Sequence, residues 1–287
     1  METFIQMSVL GLSNAAVYVL LGISVSLIFG VLGVLNFAQG DFMTLGAYVG
    51  YSAVTAIGLS IAASVVLIFP ALIVVGVIFY FTVLRPMRNH QHEMVLVATF
   101  GTALLMQGLI GLAWGGDPLG IERITGAWRI DNVTIPHVAL INIALAAIAL
   151  FGLMITLNRT SLGRSVRATA QDRIGAQLAG VDTNRAELTA VVLSVALSGL
   201  AGLMILQREL LTPQVGFELV LKAFAVAIVA GLGRINGLLP AAIVIGLMES
   251  AVATYASESL ATATVFLAVV LTLLIRPQGF GGSRVRV

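Results

Sequence analysis

Apolar runs of roughly 20 residues recur along the whole chain, separated by short polar breaks. They predict membrane spans at 7–30, 36–56, 61–84, 94–114, 138–157, 186–206, 219–232, 238–255 and 260–275. The run 219–232 is short for a bilayer that takes about 20 apolar residues in a helix. The fold class that follows is all-α: a polytopic transmembrane helical bundle with about 8–9 spans.

Two places interrupt the pattern at membrane depth. The first is GVLNFAQGD, Gly33 to Asp41, and the second is RELLTPQVGFE, Arg208 to Glu218. Each joins helix breakers (Gly33 and Gly40; Pro213 and Gly216) to polar side chains such as Asn36, Gln39 and Asp41. Each then leads into an apolar helix with a small-residue face. QGDFMTLGA at 39–47 aligns weakly with VGFELVLKA at 215–223, which points to two structurally related halves with broken helices. Paired broken segments point to a substrate site near the midplane. Ordinary interhelical loops are the competing reading, and for the second break both stay open.

One stretch is too polar for the bilayer. Asn158 to Arg185 carries Arg159, Arg164, Arg167, Arg173 and Arg185 against Asp172 and Asp182. A basic excess in a short loop places it on the cytoplasmic side. Within it Val166, Ala170, Ile174 and Leu178 recur every four residues, predicting an apolar stripe on a short amphipathic helix. Gly180 suits the helix end, and Asn184 with Glu187 has the spacing of a capping box for the next helix. A helix lying on lipid headgroups and a helix docking a soluble partner both fit. Arg85 and Arg88, Arg234, and Arg276, Arg284 and Arg286 mark further cytoplasmic segments, so the N-terminus is outside and the C-terminus inside. The segment 115–137 is then external, with Trp114 and Trp128 at the interface.

Composition agrees. The chain has 287 residues, 59% hydrophobic and 10% charged, with mean hydropathy +1.05, where soluble domains carry about 25% charge. The pI near 9.3 reflects the basic loops and not nucleic-acid binding. There is no cysteine, hence no disulfide or thiol chemistry. METFIQMS has no basic n-region, so the first run stays as a span of a single domain, 1–287. No P-loop or G-x-S-x-G elbow occurs, and His90 and His92 lack the spacing of a helical metal pair. No metal, cofactor or catalytic set emerges, so the chain is expected not to be an enzyme. Ionisable residues in or near spans are Asp41, Glu209, Glu218, Lys222, Glu249 and Glu258. Asp41 is expected to cap the helix after Gly40. Glu218 and Lys222 are spaced to pair along a helix, and Glu249 has no partner near in sequence.

GVLNFAQGDFMTLGAYV (33–49), RSVRATAQDRIGAQLAGVD (164–182), LKAFAVAIVAGLGRING (221–237) and LIRPQGFGG (274–282) resemble the permeases of branched-chain amino acid ABC importers. The resemblance covers nearly the whole chain in order, and Ala170-Gln171-Asp172 is more similar to the first of the two paired permeases. Gln39 departs from the histidine common in the family, and Arg234 from a small residue. The resemblance implies a bacterial inner-membrane importer with a second, paralogous permease. Two cytosolic ABC ATPases and an external substrate-binding protein complete it. It implies a coupling helix at 163–180, within the segment 159–185, whose Gly163, Arg164, Arg167, Ala170, Gln171, Asp172, Ala176 and Gly180 face the ATPase. It implies a pathway near Asn36, Gln39, Gly40, Asp41, Pro213, Gly216, Phe217 and Glu249. Relatives of this kind also carry urea, short amides or other amino acids, and a stand-alone secondary transporter is the alternative class.

Overall fold

The computed structural model describes residues 2–88, 90–121, 126–130, 133–276 and 279–280. Arg284 and Arg286, which entered the charge argument, lie outside them. The helices are α1 (Glu2–Leu32), α2 (Gln39–Thr55), α3 (Ile61–Phe79), α4 (Arg85–Met87), α5 (His92–Trp114) and α6 (His137–Arg159). They continue with α7 (Ser161–Gln171), α8 (Arg173–Leu178), α9 (Thr183–Leu206), α10 (Val215–Ala230), α11 (Leu238–Tyr255) and α12 (Glu258–Ile275). A π-helical turn, Tyr80–Leu84, joins α3 to α4, so the helix runs on from Ile61 to Met87. Side-chain caps set several starts: Ser60, Thr160, Asp172, Asp182 and Ser257 each accept from a backbone N–H two or three residues on.

Among the described residues, seven helices are long and apolar enough to cross a membrane. The other two expected spans are the shorter α2, 17 residues, and α10, 16 residues. These are the helices that follow the two breaks. Among the described residues the bundle is all-α except for one hairpin within 115–137, β1 (Ala127–Ile130) against β2 (Val133–Pro136), which no periodicity had marked. The same segment also pairs with the second break, where Leu119 and Leu211 exchange backbone hydrogen bonds of 3.0 and 2.6 Å.

Small residues set the architecture, because close backbone approach is what holds helices together in lipid. α1 runs antiparallel to α11: Met7 meets Ser250, Gly11 meets Gly246, and Gly22 meets Leu238. It runs parallel to α10, with Gly22 against Val226 and Gly30 against Gly233 just beyond that helix. α9 repeats the pattern with other partners. It runs antiparallel to α3, Gly76 facing Val192 and Gly199 facing Leu72, and parallel to α2, where Gln39 meets Ser194 and Gly50 meets Leu203. α2 and α10 overlap antiparallel by their first turns. A Cβ on Gly40 would lie 2.1 Å from Gly216 O, and one on Gly216 would lie 2.2 Å from Gly40 O. A half-turn exchanging α1 with α9, α2 with α10 and α3 with α11 preserves these contacts. The halves are therefore inverted relative to one another, and Gly40 and Gly216, which the weak alignment paired, meet at the axis. α1 and α9 are buried along most of their length, whereas α3, α5, α6 and α12 present apolar faces outward, as lipid requires.

Candidate functional site

Three polar clusters interrupt the apolar interior. The first joins α1, the first break, α2 and α9. Gln39 Nε2 donates to Ser194 Oγ at 3.0 Å and to Ser198 Oγ, and Gln39 Oε1 accepts from Asn36 Nδ2 at 3.0 Å. Ser194 Oγ donates to Ser24 O at 2.6 Å, and Ser198 Oγ donates to Ser24 Oγ at 3.0 Å. Asn36 Oδ1 accepts from Ala38 N at 3.1 Å and fixes the break. Asn36 and Gln39 are thus buried and hydrogen-bonded within the protein. Ser194 and Ser198, one helical turn apart, were the sequence signal that would have pointed to this cluster.

The second cluster joins α1, α10 and α11. Lys222 Nζ lies 2.7 Å from Glu249 Oε1, and Tyr18 OH donates to Glu249 Oε2. The expected Glu218–Lys222 pairing is not what forms. Glu218 points outward, exposed, and Lys222 turns to the carboxylate of the neighbouring helix. Glu249, without a partner near in sequence, finds two in space. A low-dielectric interior favours this, since a buried carboxylate alone would be far more costly than a pair.

Near the second break Pro213 is buried, and Phe217 is 38% exposed on the outer face of α10. Asp41 is no helix cap: Ala38 holds that position, and the Asp41 carboxylate inside the first turn accepts from Gln107 Nε2 of α5 at 2.9 Å.

The third cluster anchors the basic segment. Glu187 of α9 pairs with Arg88, and Arg173 Nε lies 3.0 Å from Glu187 Oε1. Tyr80 OH in the π-turn donates to Glu187 Oε2 at 3.3 Å. Glu187 therefore ties α8, α9 and the end of the α3–α4 helix together, and it does not complete a capping box. Asp182, not Asn184, caps α9, accepting from Arg185 N at 3.1 Å, while Asn184 Oδ1 accepts from Arg88 at 2.5 Å. Residues 99 positions apart give no local signal of such a pairing.

The expected single helix at 163–180 is two helices. It breaks at Asp172, whose extended backbone caps α8 by accepting from Ile174 N at 3.0 Å. The break turns the expected apolar stripe. Gly163, Val166, Thr169 and Ala176 face the body, while Ala170, Ile174 and Leu178 are exposed, Ile174 at 71% and Leu178 at 85%. Gly163 must be glycine, because a Cβ there would lie 2.2 Å from Thr156 O. Arg164 and Gln171 are exposed, Arg167 donates to Asn158 Oδ1 at 3.2 Å, and Gly180 (φ +81°) ends α8 in the left-handed conformation expected of it.

Inverted halves, two short helices meeting by their N-terminal turns and polar clusters inside an apolar bundle define a multi-pass membrane protein of the kind that forms transport permeases. The chain belongs to the branched-chain amino acid permease family: residues 7–275 match the family described as "Branched-chain amino acid transport system / permease component". It is 26% identical to the high-affinity branched-chain amino acid transport system permease protein BraD of Pseudomonas aeruginosa, over 97% of this chain and 96% of that one. It is 25% identical to the corresponding permease protein LivH of Escherichia coli K12, over 97% and 96%. It is 28% identical to a probable LivH of Methanocaldococcus jannaschii, over 94% and 91%. Among solved structures, PsaBC from Streptococcus pneumoniae in complex with Fab shares the fold at TM-score 0.53 and 14% identity, over 96% of this chain and 92% of that one.

Proposed function

We propose that the chain is the membrane-spanning permease subunit of an ATP-driven importer for branched-chain amino acids. It lies in the bacterial inner membrane with its N-terminus outside and its α7–α8 face in the cytosol. A second, paralogous permease, two cytosolic ATPases and an external binding protein complete it. The observation that carries this reading is the exposure of Ile174 and Leu178 on an otherwise polar segment that is clamped to the body. Exposed large apolar side chains on such a projection suit a groove on a soluble partner. Arg164, Ala170 and Gln171 continue the same exposed surface, with Gly163 and Ala176 buried beneath it and Asp172 and Gly180 setting its kink and its end.

The geometry offers a route for the force. Motion of α8 reaches Glu187 through Arg173, and α9 carries it to Ser194 and Ser198, which hold Gln39 at the start of α2. α2 meets α10 at Gly40 and Gly216, where two helix N-termini and their partial positive charge come together. A substrate carboxylate passing there would be favoured, with Phe217 and the outer face of α10 as an apolar wall. On this reading Asn36, Gln39 and Asp41 hold the ends of the pathway helices, and Pro213 and Glu249 fix the opposing half.

The test is Leu178→Glu with Ile174→Glu in the assembled complex. Substrate-stimulated ATP hydrolysis and uptake should be lost while the permease still inserts and extracts normally. Uptake by the purified chain alone in liposomes, without any ATPase, would sink the proposal in favour of a stand-alone transporter.

A further inference from the structure

The segment between α5 and α6 is tied down at both ends. At its start Trp114 donates from Nε1 to Ser52 Oγ of α2 at 2.8 Å, and its ring centroid lies 5.4 Å from that of Tyr48. At its end β2 lies against α1, and His137 N donates to Gly126 O at 3.0 Å. Between these anchors Leu119 is joined to the second break through the backbone. Leu119 N donates to Leu211 O at 3.0 Å, and Leu211 N donates to Leu119 O at 2.6 Å. The two form an isolated antiparallel pair outside any named strand.

The place of this pair matters more than its size. Leu211 is fully buried, and Tyr48 OH donates to its carbonyl at 3.4 Å. Tyr48 is eight residues along α2 from Gly40, about 12 Å up that helix from the Gly40–Gly216 contact. Four residues past Leu211 the chain enters α10, whose first turn makes the other side of that contact. Leu119 and Leu211 thus lie over the approach to the two helix N-termini from the end where α5 meets α6.

The pair is built to part. Two backbone hydrogen bonds at their usual net worth bias closed over open by roughly 10–100-fold. An open form then stays populated at about 1–10%. The pairing is also stopped from spreading. In its register Asp117 would next meet Pro213, which has no N–H to give. On the segment itself Gly115, Gly116 and Gly120 are exposed, and nothing lies within 4 Å of a Cβ built at Gly115 or Gly116. Gly115 has φ +89°, so the chain turns away from α5 at a residue free to change its path.

We propose that residues 115–121 form a strap over the α2–α10 contact, shut by the Leu119–Leu211 pair and opened by its parting when solute enters. That the strap faces outward, and that a solute passes beneath it, rests on the import reading above. The pair and its place over the contact do not.

The chain has no cysteine, so a pair can be introduced without interference. Residues that exchange both hydrogen bonds in an antiparallel pair have Cα atoms about 5.5 Å apart, within reach of a disulfide. Leu119→Cys with Leu211→Cys is made in the assembled complex, reconstituted in liposomes and oxidised. Cross-linking should abolish uptake, and a reductant should restore it. Thr44→Cys, one turn along α2 from Gly40 and fully buried, is added as a reporter beneath the strap. An impermeant maleimide applied from outside should label it in the reduced protein and not in the oxidised one, read on its own peptide by mass spectrometry. Failure of the pair to cross-link would overturn the bridge. Undiminished uptake after complete cross-linking would overturn the strap as a closure. So would labelling of Thr44→Cys that is equal in both states or absent from both. If Leu211→Cys does not fold, Gly120→Cys with Leu210→Cys decides, since a Cβ at 120 lies 2.9 Å from Leu210 Cδ2. Labelling needs no solute, so the import reading can fail while the strap stands, and the reverse.

Discussion

The half built around α1 closes on an ion pair between neighbouring helices, whereas the half built around α9 meets α1 through a neutral network, its own buried carboxylates Asp41 and Glu187 lying in separate contacts. On the α1 side, Lys222 and Glu249 form a largely buried ion pair with Tyr18 as the second donor to the carboxylate. On the α9 side, Gln39, Ser24, Ser194 and Ser198 share a neutral network in which each group has a partner. The helix packing is otherwise related by the same half-turn, with glycines at the crossings of both. The difference lies in how each half fails. An ion pair out of water depends on both members, and losing one strands the other. A neutral network spreads its worth over several modest bonds, and losing one leaves the rest.

The largest effect should come from the feature the halves share. Gly40→Leu or Gly216→Leu would drive a side chain into opposing backbone, where even a Cβ lies 2.1–2.2 Å from a carbonyl oxygen. Neither backbone can yield without separating α2 from α10. Both variants should lose the monodisperse folded peak in detergent size-exclusion, and to the same extent. If only one did, the half-turn relation would be a coincidence of packing.

Next is the charged half. Glu249→Ala leaves Lys222, with its side chain only 17% exposed, without its partner and should cost about 3 kcal/mol in unfolding by denaturing detergent. Replacing both, Lys222→Met with Glu249→Leu, should recover most of that loss, because the apolar pair carries no desolvation cost. A double variant as weak as the single one would show that Tyr18, not Lys222, is what the carboxylate chiefly serves.

These contrasts also separate what the sequence shows from what it hides. Each of the nine apolar runs becomes a helix among the described residues, seven of them long enough to cross a membrane, because hydropathy over about 20 residues is a local quantity. The relation between Gly40 and Gly216 shows as a weak alignment because both backbones must come equally close at the axis. The end of α8 at Gly180 shows too, because a left-handed residue has a sequence preference. What stays hidden is which charge meets which. Lys222 has Glu218 one turn away and still turns to Glu249, and Glu187 reads as a cap yet binds Arg88 and Arg173. Those choices are set by inter-helix geometry, to which spacing along one helix is blind. The kink at Asp172 escaped for the same reason: four-residue spacing continued across it, while the backbone did not.

The smallest effect belongs to the neutral half. Gln39→Leu keeps the shape of the α2 start but removes the amide shared by Asn36, Ser194 and Ser198. Both serines retain their own donated bonds to Ser24, so neither hydroxyl proton is left unpaired. Interhelical hydrogen bonds in membranes average about 0.6 kcal/mol and reach about 1.7 kcal/mol, so the loss should be about 1 kcal/mol. Ser194→Ala and Ser198→Ala should each cost less than Gln39→Leu, since each removes fewer bonds. Unfolding in denaturing detergent, run beside Glu249→Ala, reads the comparison directly. A Gln39→Leu loss as large as that of Glu249→Ala would mean that the neutral network is as indivisible as the ion pair. The contrast between the halves would then be one of charge alone and not of how load is shared.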